Sequence, residues 1–288
     1  MILNKGAYFP RNYLTGFFDF MKSYKDLFEV ITYSDLSWED NQDSFGNFEY
    51  EKKNWLAKLK TKVINPQKVY VLIQYDIDSH PIRTMQLLRD PSHRNIPANI
   101  MIFNKRVNRK LLKETGKLEY TEYEIDETLL KELEKEGSLI GYHSNAYERG
   151  GYSLENAFLA FDEDIEVLRS KYNLNFYTAH GGVACPNGKN NNKLPFPKKW
   201  ANLLRWVHNG SSPFFDGVFS DGGHNNKKRD PKERDIRQFV SKFKPGKRYR
   251  LLFHPQYYDV NPKKSIRYSG TQWYDQMLLD YEANQLNP

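Results

Sequence analysis

The sequence predicts a single α/β domain built on a parallel sheet, either open or closed into a barrel. Strand-like runs alternate with helix signals along most of the 288 residues, which is the order that parallel strands and their crossover helices require. Several of these strands run directly into an aspartate or a histidine. Hydrophobic residues make up 39% of the chain and charged residues 27%, so a folded core is expected rather than disorder.

The region 1–68 precedes these strand ends and is predicted to be an N-terminal βα extension of the same domain, with a partner-binding appendage as the alternative. Apolar residues recur at helical spacing over 17–28, and a β-rich run follows at 30–33. Residues 34–46 have the composition of a loop, and 49–62 is a basic helix candidate.

From residue 69 onward the alternation is regular. The predicted strands are 69–75, 98–103, 138–142, 175–179, 217–219 and 249–253. The predicted helices are 81–88, 126–136, 153–171 and 231–243, and Ser153 is the expected N-cap of the third. Segment 69–260 is therefore expected to form the motif-bearing core of one domain spanning 1–288.

Charge and cysteine content narrow the partner and the compartment. The net charge of +7 suits a phosphate-bearing or otherwise anionic partner. Lys and Arg are spread along the chain without a long block, so nucleic acid is not an expected partner. Cys185 is the only cysteine, and no signal peptide or membrane-spanning run is evident. The sequence therefore predicts a cytoplasmic protein without a membrane span.

The residues at the strand ends are the candidate site. They are Asp76 and Asp78 after the first core strand, and His143, His180 and His254 after three later strands. In barrels and doubly wound sheets the carboxyl ends of parallel strands meet on one face, so these side chains are expected to converge.

Two carboxylates at positions i and i+2 after a strand can divide their duties. One can hold a metal ion while the other takes a proton from a water molecule. Asp-x-Asp pairs also occur in glycosyltransferases and phosphatases, and in plain surface turns.

Each histidine has a structural interpretation beside the chemical one. His143 is either a metal ligand or a hydrogen-bonded core histidine. His180 precedes Gly181, and glycine there permits either the close approach of a ligand or a turn with positive φ. His254 is either a general acid or a structural histidine.

Taken together, these motifs resemble the NodB-homology polysaccharide deacetylases of carbohydrate esterase family four, and most closely the deacetylase-like proteins of bacterial surface-polysaccharide (O-antigen) gene clusters. The matching pieces, within residues 70–258, are Tyr-Asp-Ile-Asp-Ser, Ile-Pro-Ala-Asn-Ile-Met-Ile-Phe, Gly-Tyr-His-Ser-Asn, Ala-His-Gly-Gly and Phe-His-Pro-Gln. The resemblance implies a distorted (β/α)7-type barrel and one divalent metal ion, usually zinc.

The resemblance also implies roles for individual residues. Asp76 would be the general base, Asp78 and His143 would be metal ligands, and His254 would be the general acid. The family's second histidine is replaced by Tyr147 in this sequence.

Two residues can compensate for that replacement. Either Glu148 or His180 completes the metal shell, with His180 the favoured ligand, or the metal site is lost. The surface-polysaccharide branch also lacks the second histidine and carries a Tyr-Glu pair, a His-Gly strand end and a Ser-Asp element. The expected substrate-binding residues are accordingly Tyr147, Glu148, Gly181 and Asp221.

The implied reaction is metal-dependent removal of an N-acyl group, such as acetyl, from an amino sugar in surface-polysaccharide biosynthesis. The substrate would be a nucleotide-linked or lipid-linked precursor. Two alternatives remain, a catalytically silent carbohydrate-binding relative and a metal-dependent glycosyltransferase that uses the Asp-x-Asp pair.

Overall fold

A computed structural model describes most of the chain. The described residues are 9–38, 57–60, 64–181, 190–194, 198–200, 203–207, 214–222 and 235–259. Within them the strands are β1 (Phe9–Pro10), β2 (Phe28–Ile31), β3 (Leu36–Trp38), β4 (Ala57–Leu59), β5 (Val69–Asp76), β6 (Asn99–Ile102), β7 (Arg106–Val107), β8 (Tyr120–Thr121), β9 (Leu139–Ser144), β10 (Phe176–Ala179), β11 (Arg205–Trp206), β12 (Gly217–Ser220), β13 (Arg248–Phe253) and β14 (Tyr258–Asp259). The α-helices are α1 (Asn12–Ser23), α2 (Pro81–Leu88), α3 (Arg109–Thr115), α4 (Glu127–Lys135), α5 (Ala146–Arg149), α6 (Leu154–Arg169) and α7 (Ile236–Val240).

A curled parallel sheet organises the molecule. Its strand order is β11-β10-β9-β6-β5-β13-β12, and these strands form a half-barrel. Strand β2 adds to it by pairing with the first half of β5, while β6 pairs with the second half. The predicted α/β class and parallel sheet are thus confirmed, and closure into a (β/α)7 barrel of the NodB kind stays a prediction.

Strand β5 shows how the sequence directs a carboxylate into the interior of the sheet. All eight of its residues are buried, as expected for a parallel strand that is covered on both faces. Val71 and Ile73 pack in the main core, whereas Leu72 packs in a second cluster with Met101. Because side chains alternate along a strand, Asp76 continues the face of Leu72 and lies at the end of that inner face.

Two of the helices, α4 and α6, begin at side-chain caps. Asp126 accepts a hydrogen bond from the Leu129 amide at the start of α4. Ser153 caps α6 by accepting from the Asn156 amide, which confirms the predicted N-cap. Predicted helix 81–88 is confirmed as α2. No helix among the described residues is long and apolar enough to cross a membrane.

Three predictions for the N-terminal region need correction. Helix α1 ends at Ser23, and the end of the predicted helix 17–28 instead enters β2, where Phe28 pairs with Val69. The predicted loop 34–46 contains β3 in its described part. The predicted helix 49–62 is wrong over β4, which pairs antiparallel with β3, because backbone pairing between strands outweighs the local helix propensity.

Some predictions fall on residues outside the described ranges. They fall on Cys185, on the first part of the predicted helix 231–243, and on most of the predicted segments 34–46 and 49–62. In the described part of the predicted helix 231–243, α7 begins at Ile236, after Asp235 accepts a hydrogen bond from the Arg237 amide, and it ends at Val240, three residues before the predicted end.

Candidate metal centre

The strand ends bring the predicted residues to one rim of the sheet. Asp76 is the last residue of β5, and Asp78 lies two residues beyond it. His143 lies inside the end of β9 rather than after it, because the strand runs on to Ser144. His180 and His254 directly follow β10 and β13. These strands are close neighbours in the sheet, so the predicted convergence is confirmed.

Three of these side chains form a group that could hold a metal ion. Asp78, His143 and His180 each offer a ligand atom, and these atoms lie within 4.8 Å of one another. Asp78 Oδ1 lies 2.9 Å from His143 Nε2, and Asp78 Oδ2 lies 3.8 Å from His180 Nε2. Both imidazoles are buried, whereas the Asp78 side chain is 21% exposed and borders a cavity.

Both imidazoles are oriented by a partner on the opposite ring nitrogen. His143 Nδ1 lies 2.8 Å from Thr178 Oγ1, and His180 Nδ1 lies 3.4 Å from Glu148 Oε2. A neutral imidazole that donates through Nδ1–H leaves the lone pair of Nε2 free to bind a metal ion. The two Nε2 atoms therefore face Asp78 as ligand atoms.

The carboxylate of Asp78 also fits a ligand. Its Oδ1 atom is buried and makes no aligned hydrogen bond within the described chain, although His143 Nε2 is close. Burial raises the pKa of Asp78, but His180, His143 and His254 together lower it further, to below its usual range. One ionised carboxylate and two imidazoles are a donor set that could hold a divalent metal ion and leave positions open for other ligands.

Asp76 is held beside this group by a buried polar chain that the sequence did not predict. Asp76 Oδ2 lies 3.7 Å from His143 Nε2, and Asp76 Oδ1 accepts a 2.6 Å hydrogen bond from Gln74 Nε2. Gln74 Oε1 in turn accepts from the Arg250 guanidinium at 2.7 Å and from the Tyr33 hydroxyl. The hydrogen bond from Gln74, which is itself held by Arg250 and Tyr33, thus fixes the orientation of Asp76.

His254 is paired with a buried aspartate on the neighbouring strand end. Its Nδ1 lies 2.6 Å from Asp221 Oδ1, and its backbone N–H donates to Asp221 Oδ2 at 2.8 Å. Burial lowers the pKa of His254, but Asp221 raises it more, and the pKa rises to about 10. His254 is therefore protonated at neutral pH, with Nε2 3.7 Å from Asp78 Oδ2.

The remaining predicted residues lie in different surroundings. Glu148 is buried behind His180, where its Oε1 also forms an ion pair with Arg109 Nε at 2.9 Å. Burial raises the pKa of Glu148, but His180 and Arg109 lower it to below its usual value. Tyr147 packs in the main core, and Gly181 is exposed with open space beside it.

Two of these placements bear on the predicted roles. Glu148 borders the cavity and orients a candidate ligand, so it lies at the site as predicted. Asp221 is fully buried behind His254, an arrangement that favours positioning of the imidazole over contact with a substrate.

Phe103 is a site residue that the sequence did not single out. Its ring stacks on His143 at 5.4 Å with an interplanar angle of 7°, and it meets His180 edge-on at 5.1 Å. The Tyr123 hydroxyl accepts from the Phe103 amide, which fixes the backbone there. Phe103 directly follows β6, at the same rim as the histidines, but a search for aspartates and histidines at strand ends passes over an aromatic side chain.

A cavity of about 380 Å³ opens beside Asp78. Phe103, Glu148 and His180 form one part of its wall, and residues of β7, β8 and the start of α3 form another. Two of the candidate ligands, Asp78 and His180, are therefore accessible to a small molecule from this side.

Comparison of the chain with protein-family models, with curated proteins and with solved structures finds no match in any of the three. The resemblance of the short motifs to deacetylases stays a prediction.

Proposed function

We propose that the protein is a metal-dependent hydrolase that removes an N-acyl group, such as acetyl, from an amino sugar in surface-polysaccharide biosynthesis. One observation carries the proposal. The Asp78–His143–His180 group lies between a carboxylate, Asp76, and a protonated imidazole, His254, beside an accessible cavity. Together these groups could carry out the metal-dependent hydrolysis of an amide.

Asp78, His143 and His180 would hold the metal ion. The proposed metal is zinc, and the proposed location of the enzyme is the cytoplasm. A divalent ion bound there supplies Lewis-acid chemistry, which polarises an acyl carbonyl and makes a water molecule more acidic. Glu148 and Thr178 keep the imidazoles in the orientation that ligation needs.

Asp76 is placed to act as the general base. Its Oδ2 atom faces the ligand group, while Oδ1 is occupied by Gln74. The free oxygen can accept a proton as water adds to the acyl carbon.

His254 is placed to act as the general acid. When the C–N bond breaks, the departing nitrogen needs a proton, and the protonated His254 presents Nε2 toward the ligand group. Asp221 stabilises the imidazolium and holds its ring. The overall reaction converts the amide and one water molecule into a carboxylate and a protonated amine.

The test is acetate release from N-acetylated amino sugars by protein purified without a chelator or a His-tag. We expect release from the wild type, and losses of at least a hundredfold in Asp76→Asn and His254→Ala, which remove a general base and a general acid. Asp26→Asn, at an exposed carboxylate remote from the site, serves as the matched control.

Other outcomes would replace the proposal. Sugar binding without acetate release by any metal-loaded preparation would indicate a catalytically silent carbohydrate-binding protein. Release of a nucleotide from a sugar donor would indicate a glycosyltransferase, for which the paired histidines have no required role.

A further inference from the structure

We propose that the cavity beside the candidate metal centre binds a phosphate-bearing sugar. One part of its wall supplies buried acceptors for the hydroxyl and amide groups of the sugar, and another part supplies Arg106 and Lys110 for its phosphate. This inference rests on the proposed function and specifies its substrate class. Residues of four separate segments carry it.

The first part is a set of buried oxygen atoms that lack partners. Asn145 Oδ1 and Gln256 Oε1 border the cavity, and neither has a hydrogen-bond partner within the described chain. Their residues are 0% and 4% exposed. An unsatisfied buried acceptor is costly, so a ligand that supplies O–H or N–H donors would stabilise both.

These acceptors are held in place. Asn145 Nδ2 donates to the Lys105 carbonyl at 2.9 Å, which turns the side-chain oxygen away from that partner. The backbone carbonyl of Gln256 accepts from Arg83 at 2.7 Å, which fixes the backbone turn that carries the Gln256 side chain. The acceptors are therefore pre-positioned for a polyhydroxylated ligand.

The second part is the two-stranded ribbon of β7 and β8. Arg106 pairs directly with Thr121 across this ribbon, so their side chains lie on the same face. Both border the cavity, and the Thr121 hydroxyl is another buried group without a partner in the described residues. The ribbon thus presents a cation and a hydroxyl to the same space.

The cations of this wall differ in their availability. Arg109 is already paired with Glu148. The Arg106 guanidinium has no hydrogen bond or ion pair with any described residue, although it is half-buried. Lys110 makes only a 4.0 Å pair with Glu114, and its side chain is 82% exposed. Arg106 and Lys110 are therefore available for an anion.

The charge and size of the cavity favour a sugar phosphate. The lining carries the cations Arg106, Arg109 and Lys110 against the carboxylates of Asp78 and Glu148. A divalent ion at the ligand group would add further positive charge, which calls for an anionic ligand. Arginine forks match the oxygens of phosphate, and 380 Å³ is at the small end of roughly 300–1,000 Å³ for small-molecule sites.

The test is calorimetric binding of N-acetylglucosamine 1-phosphate and of N-acetylglucosamine to the folded full chain, with zinc and after chelation. We expect the phosphate to tighten binding at least tenfold. Arg106→Met and Lys110→Met should each reduce this advantage by about tenfold while leaving binding of the neutral sugar unchanged. Lys113→Met, an exposed cation on the same helix as Lys110 and outside the cavity lining, is the control.

Further arms distinguish the source of the phosphate. Tighter binding of UDP-N-acetylglucosamine than of the 1-phosphate supports a nucleotide-linked substrate. Tighter binding of a short-chain polyprenyl diphosphate sugar supports a lipid-linked one.

Thr121→Val should weaken binding of every sugar probe, since it removes a hydroxyl and keeps the volume.

Failure of this inference differs from failure of the proposed function. If N-acetylglucosamine 1-phosphate and N-acetylglucosamine bind the wild type with equal affinity, and Arg106→Met likewise, the phosphate site is refuted, whatever the acetate assay shows. Because Lys110 is exposed, Lys110→Met tests the same point without disturbing the fold. Phosphate-dependent binding without acetate release would support the site and refute the hydrolase.

Discussion

His93 provides a quantitative test of the core, independent of any activity. Its side chain is fully buried, and neither ring nitrogen has a hydrogen-bond partner among the described residues. Phe18 meets the ring edge-on at 5.1 Å, and Tyr75 packs on it at 5.5 Å. Burial, with a smaller effect of Lys22, lowers the pKa of His93 to about 3.

The sign of the pH effect follows from this depressed pKa. The unfolded chain takes up a proton on His93 below its ordinary pKa of 6.5, whereas the folded protein does not until about pH 3. Falling pH through this window therefore favours the unfolded state. At pH 5, about 1.5 units below the ordinary value, the loss of unfolding free energy is about 2 kcal/mol.

The perturbation is His93→Leu, which replaces the titrating imidazole by an apolar side chain of comparable size. Urea unfolding of chelated protein at pH 8 and pH 5 gives the change in unfolding free energy for each protein. We expect the wild type to lose about 2 kcal/mol more than the variant over this interval. Because both proteins keep the histidines of the site, the contribution of those histidines to the pH dependence is the same in each and cancels when the two losses of unfolding free energy are subtracted. Equal losses in both would refute the assignment of a neutral, buried His93.

Three further perturbations test the site and its supports. Asp221→Asn removes the main interaction that raises the pKa of His254, so the alkaline limit of acetate release should move to lower pH by roughly 1–3 units; an unchanged limit would contradict the pairing. Gly150→Ala places a Cβ 2.4 Å from a backbone nitrogen of α6, and we expect a loss of about 1–3 kcal/mol in thermal unfolding, which an unchanged melting temperature would refute. Gln74→Leu removes an acceptor from the buried Arg250, and urea unfolding should show a loss of about 1–3 kcal/mol, whereas a stability equal to the wild type would count against the polar chain.

The sheet and its rim follow from local patterns. The continuous apolar run of β5 identifies a strand that is buried on both faces, and it ends at Asp76. The same rule places His143, His180 and His254 beside it, because parallel strands end on one side of a sheet. Here the sequence carries enough information by itself.

The partners of these residues follow from tertiary contacts instead. Asp221 could be recognised as part of a motif, but its pairing with His254 depends on the neighbouring positions of β12 and β13. Gln74 and Arg250 are separated by 176 positions in the chain, and no local period connects them. The predicted helix 49–62 was wrong over β4 for a similar reason, since the pairing with β3 is not local.

Metal content is the most direct test of the central claim. Elemental analysis of protein purified without a chelator or a His-tag should find about one zinc or similar divalent ion per chain in the wild type and in the Asp26→Asn control. Asp78→Asn and His143→Ala, each still folded by circular dichroism, should lose that ion. No bound ion in the wild type, even after soaking with zinc, would contradict the metal centre and the hydrolase proposal with it.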